Sequence, residues 1–285
     1  MRKIKNLTIF FNGERGLGVY KILKKKFNIK AIITNNINIK KKKIHKNILF
    51  TKNINLEKNF NKFKSDLFVI AGFSNILKKC IIDIPKYGSI NLHAGSLPKY
   101  RGGSPLNWQI INNEKFIGLS IIKIDQGIDT GDIIVQNKFK MKKNYNIKKI
   151  HSIANNLFPK MTLAAIQKVI NNQKFTKQGK GTYFKQRNDN DGRIFFKKYN
   201  GYMIERLIRA LDEPYPGAWC YFDNKIMRIY EAKLSKALKL TGNYGKFIKI
   251  KNSYIIKCKF RNLILNKFKI EGHTSDKLRL PTNLN

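Results

Sequence analysis

Strand-like and helix-like runs alternate through the first half of this 285-residue chain. Short apolar runs rich in isoleucine and phenylalanine are typical of buried strands, whereas longer runs with an amphipathic spacing are typical of helices. Because strands that alternate with helices form parallel βαβ units, the pattern predicts an α/β domain with a mainly parallel sheet. The predicted strands are residues 8–11, 29–34, 66–71 and 89–93, and the predicted helices are residues 17–27 and 75–79.

The pattern changes in the last third of the chain. Residues 173–181 form a polar, glycine-containing segment that is suited to a linker. One helix follows over residues 202–211, and the short strands after it have no helices between them, which is typical of a small barrel or sandwich. We therefore predict a Rossmann-like domain with a mainly parallel sheet over residues 1–181, and a small β-rich, OB-like domain over residues 182–285.

The chain is strongly basic, with 58 lysines and arginines against 17 acidic residues and a formal net charge of +41. Such a balance favours nucleic acid or an anionic membrane surface as a partner. The lysines are, however, spread over nearly every segment and accompany frequent asparagine and isoleucine, as codon bias in a low-GC genome would produce. The runs at residues 24–26 and 40–43 are interpreted as solvated faces or loops.

The three cysteines, Cys80, Cys220 and Cys258, are far apart and lack metal-ligand spacing. Neither a disulfide framework nor a metal site is predicted, and a reducing cytoplasm fits best. Cys80 and Cys258 lie in apolar runs and are expected in the core. No apolar window approaches the roughly 18 residues of a membrane span, and the first apolar run is interpreted as a strand rather than a signal peptide, so no membrane partner is expected.

Residues 90–135 combine polar side chains with many glycines. Asn91 and His93 are two residues apart at the end of a predicted strand, so their side chains emerge on one face. A loop rich in glycine and proline follows, and an acidic turn at residues 125–132 carries Asp129 between two glycines. Loops that follow strand ends commonly carry catalytic groups, so this region is the predicted active site.

Each of these polar groups has a definite chemistry. The His93 imidazole can take a proton at neutral pH, and the Asn91 amide can donate to an oxygen on which negative charge develops. Asp129 could orient His93 and stabilise its protonated form, whereas Asp125 and Asp132 are expected to shape the turn. Ser96 lacks a Gly-x-Ser-x-Gly frame, so a covalent acyl-enzyme is not expected. The set suits direct transfer of an activated acyl group from a cofactor to an amine.

At these residues the chain resembles the formyltransferase family that uses 10-formyltetrahydrofolate, which includes methionyl-tRNA formyltransferase and the sugar-nucleotide N-formyltransferases. The resemblance lies in Asn91-x-His93, in the Ser-Leu-Pro-Lys-Tyr-Arg-Gly loop at residues 96–102, and in the turn at residues 125–132. Residues 204–218 resemble the junction into the family's C-terminal domain. The resemblance implies that Asn91, His93 and Asp129 are the catalytic residues.

The resemblance also implies a folate pocket that is formed partly by backbone groups. One departure affects it, because Ala94 and Gly95 stand where many relatives have Gly-Ser or Pro-Ser. The residues implied in binding 10-formyltetrahydrofolate are Asn75, Ile76, Leu77, Gly95, Ser96, Leu97, Pro98, Asp125, Gln126, Gly127 and Ile128.

Two features bear on the acceptor. The Pro-Leu-Asn-Trp sequence at residues 105–108 resembles the sugar-amine enzymes, and the segment at residues 33–50 is shorter than in most tRNA enzymes. A nucleotide-linked amino sugar is therefore the favoured small-molecule substrate, with initiator tRNA as the alternative, because the lysines at residues 40–43 could grip a phosphate backbone. The rival from another class is an inactive relative that binds RNA. A homodimer is left open.

Overall fold

The computed structural model describes residues 3–57, 60–235 and 240–272, which belong to two units. The two units are not separated at a single point in the sequence, because two short internal segments belong to the same unit as the C-terminal part. The predicted division after residue 181 stays a prediction. The first unit comprises the described residues of Met1–Pro105, Phe116–Lys140 and His151–Phe184, and the second those of Leu106–Lys115, Met141–Ile150 and Lys185–Asn285.

The first unit is built around a mixed sheet. Its strands are β1 (Asn6–Phe10), β2 (Asn28–Thr34), β3 (Ile48–Phe50), β4 (Leu67–Ile70), β5 (Ser89–His93), β6 (Arg101–Gly102), β7 (Phe116–Lys123), β8 (Ile133–Lys140) and β9 (Tyr183–Phe184). Seven of them form one sheet in the order β3-β2-β1-β4-β5-β7-β8, in which the first five are parallel and β7 and β8 are antiparallel. β6 and β9 form a separate parallel pair. The predicted mainly parallel sheet is confirmed.

The central strands explain why this sheet forms. Every residue of β4 is buried, as is most of β1, which is the pattern of parallel strands covered on both faces. Phe10 anchors the aromatic packing, with its ring centroid 5.2 Å from that of Phe68 and 6.0 Å from that of Phe60. Helices α1 (Glu14–Leu23), α2 (Ile37–Lys41), α3 (Lys79–Ile82), α4 (Pro105–Ile111) and α5 (Ile147–Ile170) connect the strands of the chain up to this point.

The helix predicted at residues 75–79 is wrong, because helix α3 begins only at Lys79. The side chain of Asn55 gives the reason: its Nδ2 donates to the carbonyl of Ile76 at 2.8 Å, and its Oδ1 accepts from the backbone N–H of Lys78 at 2.9 Å. A side chain therefore takes backbone groups that a helix would pair internally. The expectation that Cys80 is a core residue is also wrong, since α3 is one turn long and exposes it.

The second unit holds a five-stranded antiparallel sheet. The sheet packs under helix α6 (Gly201–Leu211), whose Ile204, Leu207, Ile208 and Leu211 are buried at helical spacing. The predicted β-rich second domain is confirmed, whereas its OB-like character stays a prediction. Its strands are β10 (Ala218–Phe222), β11 (Lys225–Leu234), β12 (Phe247–Ile250), β13 (Ser253–Ile256) and β14 (Leu263–Ile270), in the order β10-β11-β14-β13-β12.

Polar contacts join α4 to α6 inside the second unit. Asn107 is 1% exposed, and its Nδ2 donates to the carbonyl of Ala210 at 2.8 Å. Arg206 donates to the carbonyl of Ile111 at 3.1 Å. Asn107 thus has a structural task, although it belongs to the sequence that resembles the sugar enzymes. Within the described ranges, no helix is long and apolar enough to cross a membrane.

Replacing Asn107 by alanine should lower the free energy of unfolding by about 1 to 3 kcal/mol, because the buried carbonyl of Ala210 loses its donor. Urea unfolding measures the change. Asn144→Ala is the control, since Asn144 is exposed in the same unit and should shift stability by no more than about 0.5 kcal/mol. Equal stability of both variants would contradict the structural role of Asn107.

Candidate active site

The carboxylate of Asp129 joins the three side chains predicted to be catalytic. Its Oδ1 accepts a hydrogen bond from Asn91 Nδ2 at 3.2 Å, and its Oδ2 lies 3.3 Å from His93 Nδ1. The backbone N–H of Gly102 donates to the same Oδ2 at 2.9 Å. Asp129 and His93 are 12% and 6% exposed, so these contacts lie in a largely water-excluded place.

The sheet explains why these residues meet. Asn91 and His93 lie on β5, which pairs antiparallel with β7, and the turn that carries Asp129 follows β7 directly. Asp129 adopts a left-handed backbone conformation, with φ of 55°. The turn is held by Asp125, whose Oδ1 accepts from the Gly127 N–H at 3.1 Å and from the Thr130 hydroxyl at 2.7 Å. Asp125 therefore shapes this turn.

His93 is constrained at both ring nitrogens. Its Nε2 lies 2.5 Å from the carbonyl oxygen of Tyr100 and its Nδ1 lies 3.3 Å from Asp129 Oδ2, so each ring nitrogen faces an oxygen that can only accept. Protonation gives both nitrogens a hydrogen, and both oxygens can then accept from the ring. Burial lowers the pKa of His93, and the charge of Arg15 lowers it further. The Asp129 carboxylate and the Tyr100 carbonyl act in the opposite direction, but burial is the largest effect. The imidazole is therefore neutral and able to act as a base at neutral pH.

Gly95 makes the position of the His93 ring possible. A Cβ at this residue would lie 2.3 Å from His93 Nε2 and 2.6 Å from the Tyr100 oxygen, so any side chain would displace one of them. A serine, which the resemblance implies for many relatives at this place, is thus incompatible with the ring position found here. The departure seen in the sequence has a direct structural consequence for the predicted base.

The loop after Gly95 is fixed from the neighbouring strands. The Ser120 hydroxyl donates to the carbonyl of Gly95 at 2.7 Å, and Gln136 Nε2 donates to the carbonyl of Leu97 at 2.8 Å. Ser96 fits because residue 118 is glycine, whose Cβ would lie 2.4 Å from that of Ser96. The predicted folate residues Gly95, Ser96, Leu97 and Pro98 therefore form a rigid loop beside His93.

The other predicted folate residues offer chemistry that fits a folate. Asn75 has a buried side-chain oxygen without a hydrogen-bond partner in the described part of the chain, so it can accept from a ring N–H. Ile76 and Ile128 are 73% and 45% exposed, which leaves apolar surface for an aromatic ring system, whereas Leu77 is buried. One acceptor oxygen beside exposed apolar side chains is consistent with a pterin-containing co-substrate.

A cavity of about 410 Å³ adjoins the acidic turn. It includes Asp125 and Gln126 from the predicted folate set, but none of the three predicted catalytic residues lines it. Its volume is in the range of small-molecule sites. The lining residues are Lys79, Ile82, Asp83, Lys123, Ile124, Asp125, Gln126, Gly131 and Asp132. In the described ranges, no group of three or more histidine, cysteine or acidic residues could hold a metal ion.

Several residues of the site were given no role in the sequence analysis. Tyr100 and Gly102 belong to the loop at residues 96–102 that carries the resemblance, but they act through single backbone groups, and Ser120 acts through a hydroxyl that no motif marks. Gln178 lies in the segment interpreted as a linker, yet Thr176 pairs with Ile133 and β9 pairs with β6. That interpretation is wrong, because residues 176–184 are bonded onto the first unit. The strand-like Tyr-Phe pair at residues 183–184 is the one signal that could have indicated this.

Comparison with known proteins agrees with the geometry. A family model described as formyl transferase matches residues 23–166, and one described as formyl transferase, C-terminal domain, matches residues 187–278. The chain belongs to the formyl transferase family. It is a folate-dependent enzyme whose family uses 10-formyltetrahydrofolate as the co-substrate.

The names and titles of individual relatives mention different formyl acceptors. A methionyl-tRNA formyltransferase of Lachnospira eligens is 31% identical over 219 residues, which are 74% of this chain and 69% of the relative. An N-formyltransferase from Helicobacter canadensis, solved with folinic acid and dTDP-3-aminofucose, has a TM-score of 0.67 at 24% identity and covers 92% of this chain and 99% of its own. Methionyl-tRNA formyltransferase from Clostridium thermocellum has a TM-score of 0.63 at 22% identity and covers 82% and 94%.

Stability should depend on pH through His151, whose pKa burial lowers to about 4, with a further contribution from Arg15. An unfolded histidine takes up its proton near pH 6.5, so the unfolded state binds more protons between about 6.5 and 4. Stability should therefore fall as the pH drops through this window and level off below it. Burial of His93 acts in the same direction.

His151→Leu should make the free energy of unfolding depend less on pH. The total change across the window should shrink by about 3 kcal/mol at most. Urea unfolding at several pH values measures it. His45→Leu is the control, because that ring lies at the surface beside Asn47. A slope that His151→Leu leaves unchanged would show that another group dominates acid unfolding.

Proposed function

We propose that this formyltransferase transfers a formyl group from 10-formyltetrahydrofolate to a primary amine, with Asn91, His93 and Asp129 as catalytic residues. The observation that carries the proposal is the buried Asp129 carboxylate, which binds the Asn91 amide and lies 3.3 Å from the His93 ring. When bound, the folate supplies the formyl carbon that the amine attacks and leaves as tetrahydrofolate.

The three side chains divide the work according to their chemistry. Asn91 uses one amide N–H on Asp129 and has a second that can donate to the formyl oxygen as negative charge develops there. His93 takes a proton released by the attacking amine, and Asp129 stabilises the resulting imidazolium because its Oδ2 faces Nδ1. The imidazolium then returns this proton to the leaving group, so that His93 ends the reaction neutral.

Replacing His93 or Asp129 by alanine should lower kcat by at least about a hundredfold, as expected when a positioned acid–base group is lost. Steady-state formyl transfer at saturating donor measures the effect, and circular dichroism verifies that both variants are folded. Glu271→Ala removes an exposed carboxylate in the second unit and is the matched control. Near wild-type kcat in folded His93→Ala and Asp129→Ala would refute the catalytic assignment.

We infer further that the acceptor is a nucleotide-linked amino sugar. The Pro-Leu-Asn-Trp resemblance supports this, although Asn107 itself is explained by packing. The connection from β2 to β3 also supports it, because it is short and holds only the five-residue helix α2. The Helicobacter canadensis structure, which holds a nucleotide amino sugar, covers more of this chain than the Clostridium thermocellum tRNA enzyme.

Initiator tRNA is the second candidate. Several relatives more than 30% identical are named methionyl-tRNA formyltransferase, and the four lysines at residues 40–43 are all exposed. The rival of an inactive, RNA-binding relative is disfavoured because a binding module has no need for Asn91, His93 and Asp129 in contact. A cytoplasmic location and a homodimer stay predictions.

Salt should separate the two acceptors. A tRNA held by about six to ten phosphates loses affinity by orders of magnitude between about 50 and 200 mM salt, whereas a diphosphate held by one or two cations should lose no more than about tenfold. We expect dTDP-3-aminofucose or another nucleotide amino sugar to be formylated, with kcat/KM changing within about tenfold over that range.

Lysine variants sharpen this experiment. Changing the four lysines at residues 40–43 to glutamine should leave sugar formylation almost intact, as should the matched change of the three exposed lysines at residues 24–26. Formylation of methionyl-tRNA that the first change abolishes and the second spares would overturn the sugar assignment. The formyl-transfer chemistry would then still stand. If neither acceptor is formylated but RNA is bound, the protein is an inactive relative that binds RNA.

A further inference from the structure

The turn that carries Asp129 is gripped from outside by the side chain of Gln178. Gln178 Nε2 donates to the backbone carbonyl of Asp129 at 2.9 Å and to that of Gly131 at 2.6 Å. One carbonyl belongs to the left-handed residue on which the proposed site converges, and the other lies two residues after it. A non-glycine residue in that conformation persists where its surroundings hold it.

Arg101 fixes the orientation of this amide. Its Nε and one of its terminal nitrogens, Nη2, donate to Gln178 Oε1 at 3.2 and 3.0 Å, so that oxygen cannot exchange places with the amide nitrogen. Both hydrogens of Gln178 Nε2 are thereby directed at the turn. Arg101 also donates to the carbonyl of Gly179 at 3.0 Å, which holds the segment that carries Gln178.

The backbone at residues 181–182 brings this segment close to the loop at residues 98–101. The backbone N–H of Arg101 donates to the Thr182 carbonyl at 3.0 Å, and that of Thr182 donates to the Pro98 carbonyl at 3.1 Å. A Cβ at Gly181 would lie 2.2 Å from the Pro98 oxygen and 2.9 Å from Arg101 Cζ, so only glycine lets the segment pass so closely. The segment is therefore built against the loop that precedes β6.

Arg101 and its neighbour together hold Asp129 at two places. The Gly102 N–H binds the Asp129 carboxylate at 2.9 Å, while the Arg101 side chain acts through Gln178 on the Asp129 main chain. One short strand thus sets both the backbone and the side chain of the proposed catalytic aspartate. Loss of either hold would let the carboxylate move relative to His93.

We propose that Gln178 and Arg101 are a positioning pair that fixes the conformation of Asp129 and so the distance from its carboxylate to His93. The role in catalysis rests on the proposed function of Asp129, whereas the role in positioning does not. Neither side chain is a catalytic residue in this proposal, because both act through the turn.

Gln178→Glu is the decisive variant, because it keeps the length and the acceptor for Arg101 but replaces both N–H donors with carboxylate oxygen. Gln173→Glu is the matched control, since Gln173 is exposed in the same segment. The ring ¹⁵N chemical shifts of His93 report the position of Asp129 without any acceptor. Those of His151, whose environment is set by burial and Arg15, serve as the internal reference.

We expect Gln178→Glu to move the His93 ring shifts toward those of Asp129→Asn, to leave His151 unchanged, and to lower kcat by about tenfold or more. Arg101→Met should act in the same direction. In an Asp129→Asn background, Gln178→Glu should cost nothing further, since the pair acts through that carboxylate. Gln173→Glu should match the wild type in every measurement.

The outcomes separate this inference from the proposed function. Unchanged His93 shifts in folded Gln178→Glu would overturn the positioning pair, whatever the activity. Shifted His93 signals with unchanged kcat, together with an active Asp129→Asn, would support the pair and refute the catalytic role of Asp129. A further loss of kcat on adding Gln178→Glu to Asp129→Asn would show that Gln178 acts by another route and would also overturn the inference.

Discussion

The antiparallel pairing of β5 with β7 is the constraint on which the proposed site depends. It starts the turn after β7 beside the beginning of β5, because Lys123 pairs with Ile90 and the Ile124 N–H donates to the Ser89 carbonyl at 2.8 Å. A parallel strand at that place would have needed a crossover connection and would have started its following loop at the other end of β5. The turn instead folds back along β5, which places the Asp129 carboxylate beside the Asn91 amide and the His93 imidazole.

The sequence indicated this meeting because one periodicity and one turn signal were enough. A spacing of two residues on a strand fixes that Asn91 and His93 share a face, and the glycines around Asp129 indicate a tight turn. The same reasoning predicted the central strands, since β4 is a continuous apolar run buried on both faces. Such features are local, so a single sequence contains them.

The features that could not be predicted depend on partners distant in sequence. Asn55 prevents a helix at residues 75–78 from 20 or more residues away, and Gln178 reaches the turn across 47 residues. A polar segment that contains glycines resembles a linker in the sequence, because its hydrogen-bond partners lie far away along the chain. The prediction that Cys80 is buried failed for a different reason. The one-turn helix α3 buries only Ile81 and Ile82 and leaves the cysteine exposed.

His93 shows how burial and hydrogen bonding must be weighed together. Two acceptor oxygens face its ring and favour the protonated form, whereas removal from water favours the neutral form, and the second effect is the larger. A base that is neutral before the reaction and beside a carboxylate afterwards is what proton transfer from an amine requires. Gly95 is the residue that permits this balance, because only a missing side chain lets the ring reach the Tyr100 carbonyl and leave Nδ1 facing Asp129.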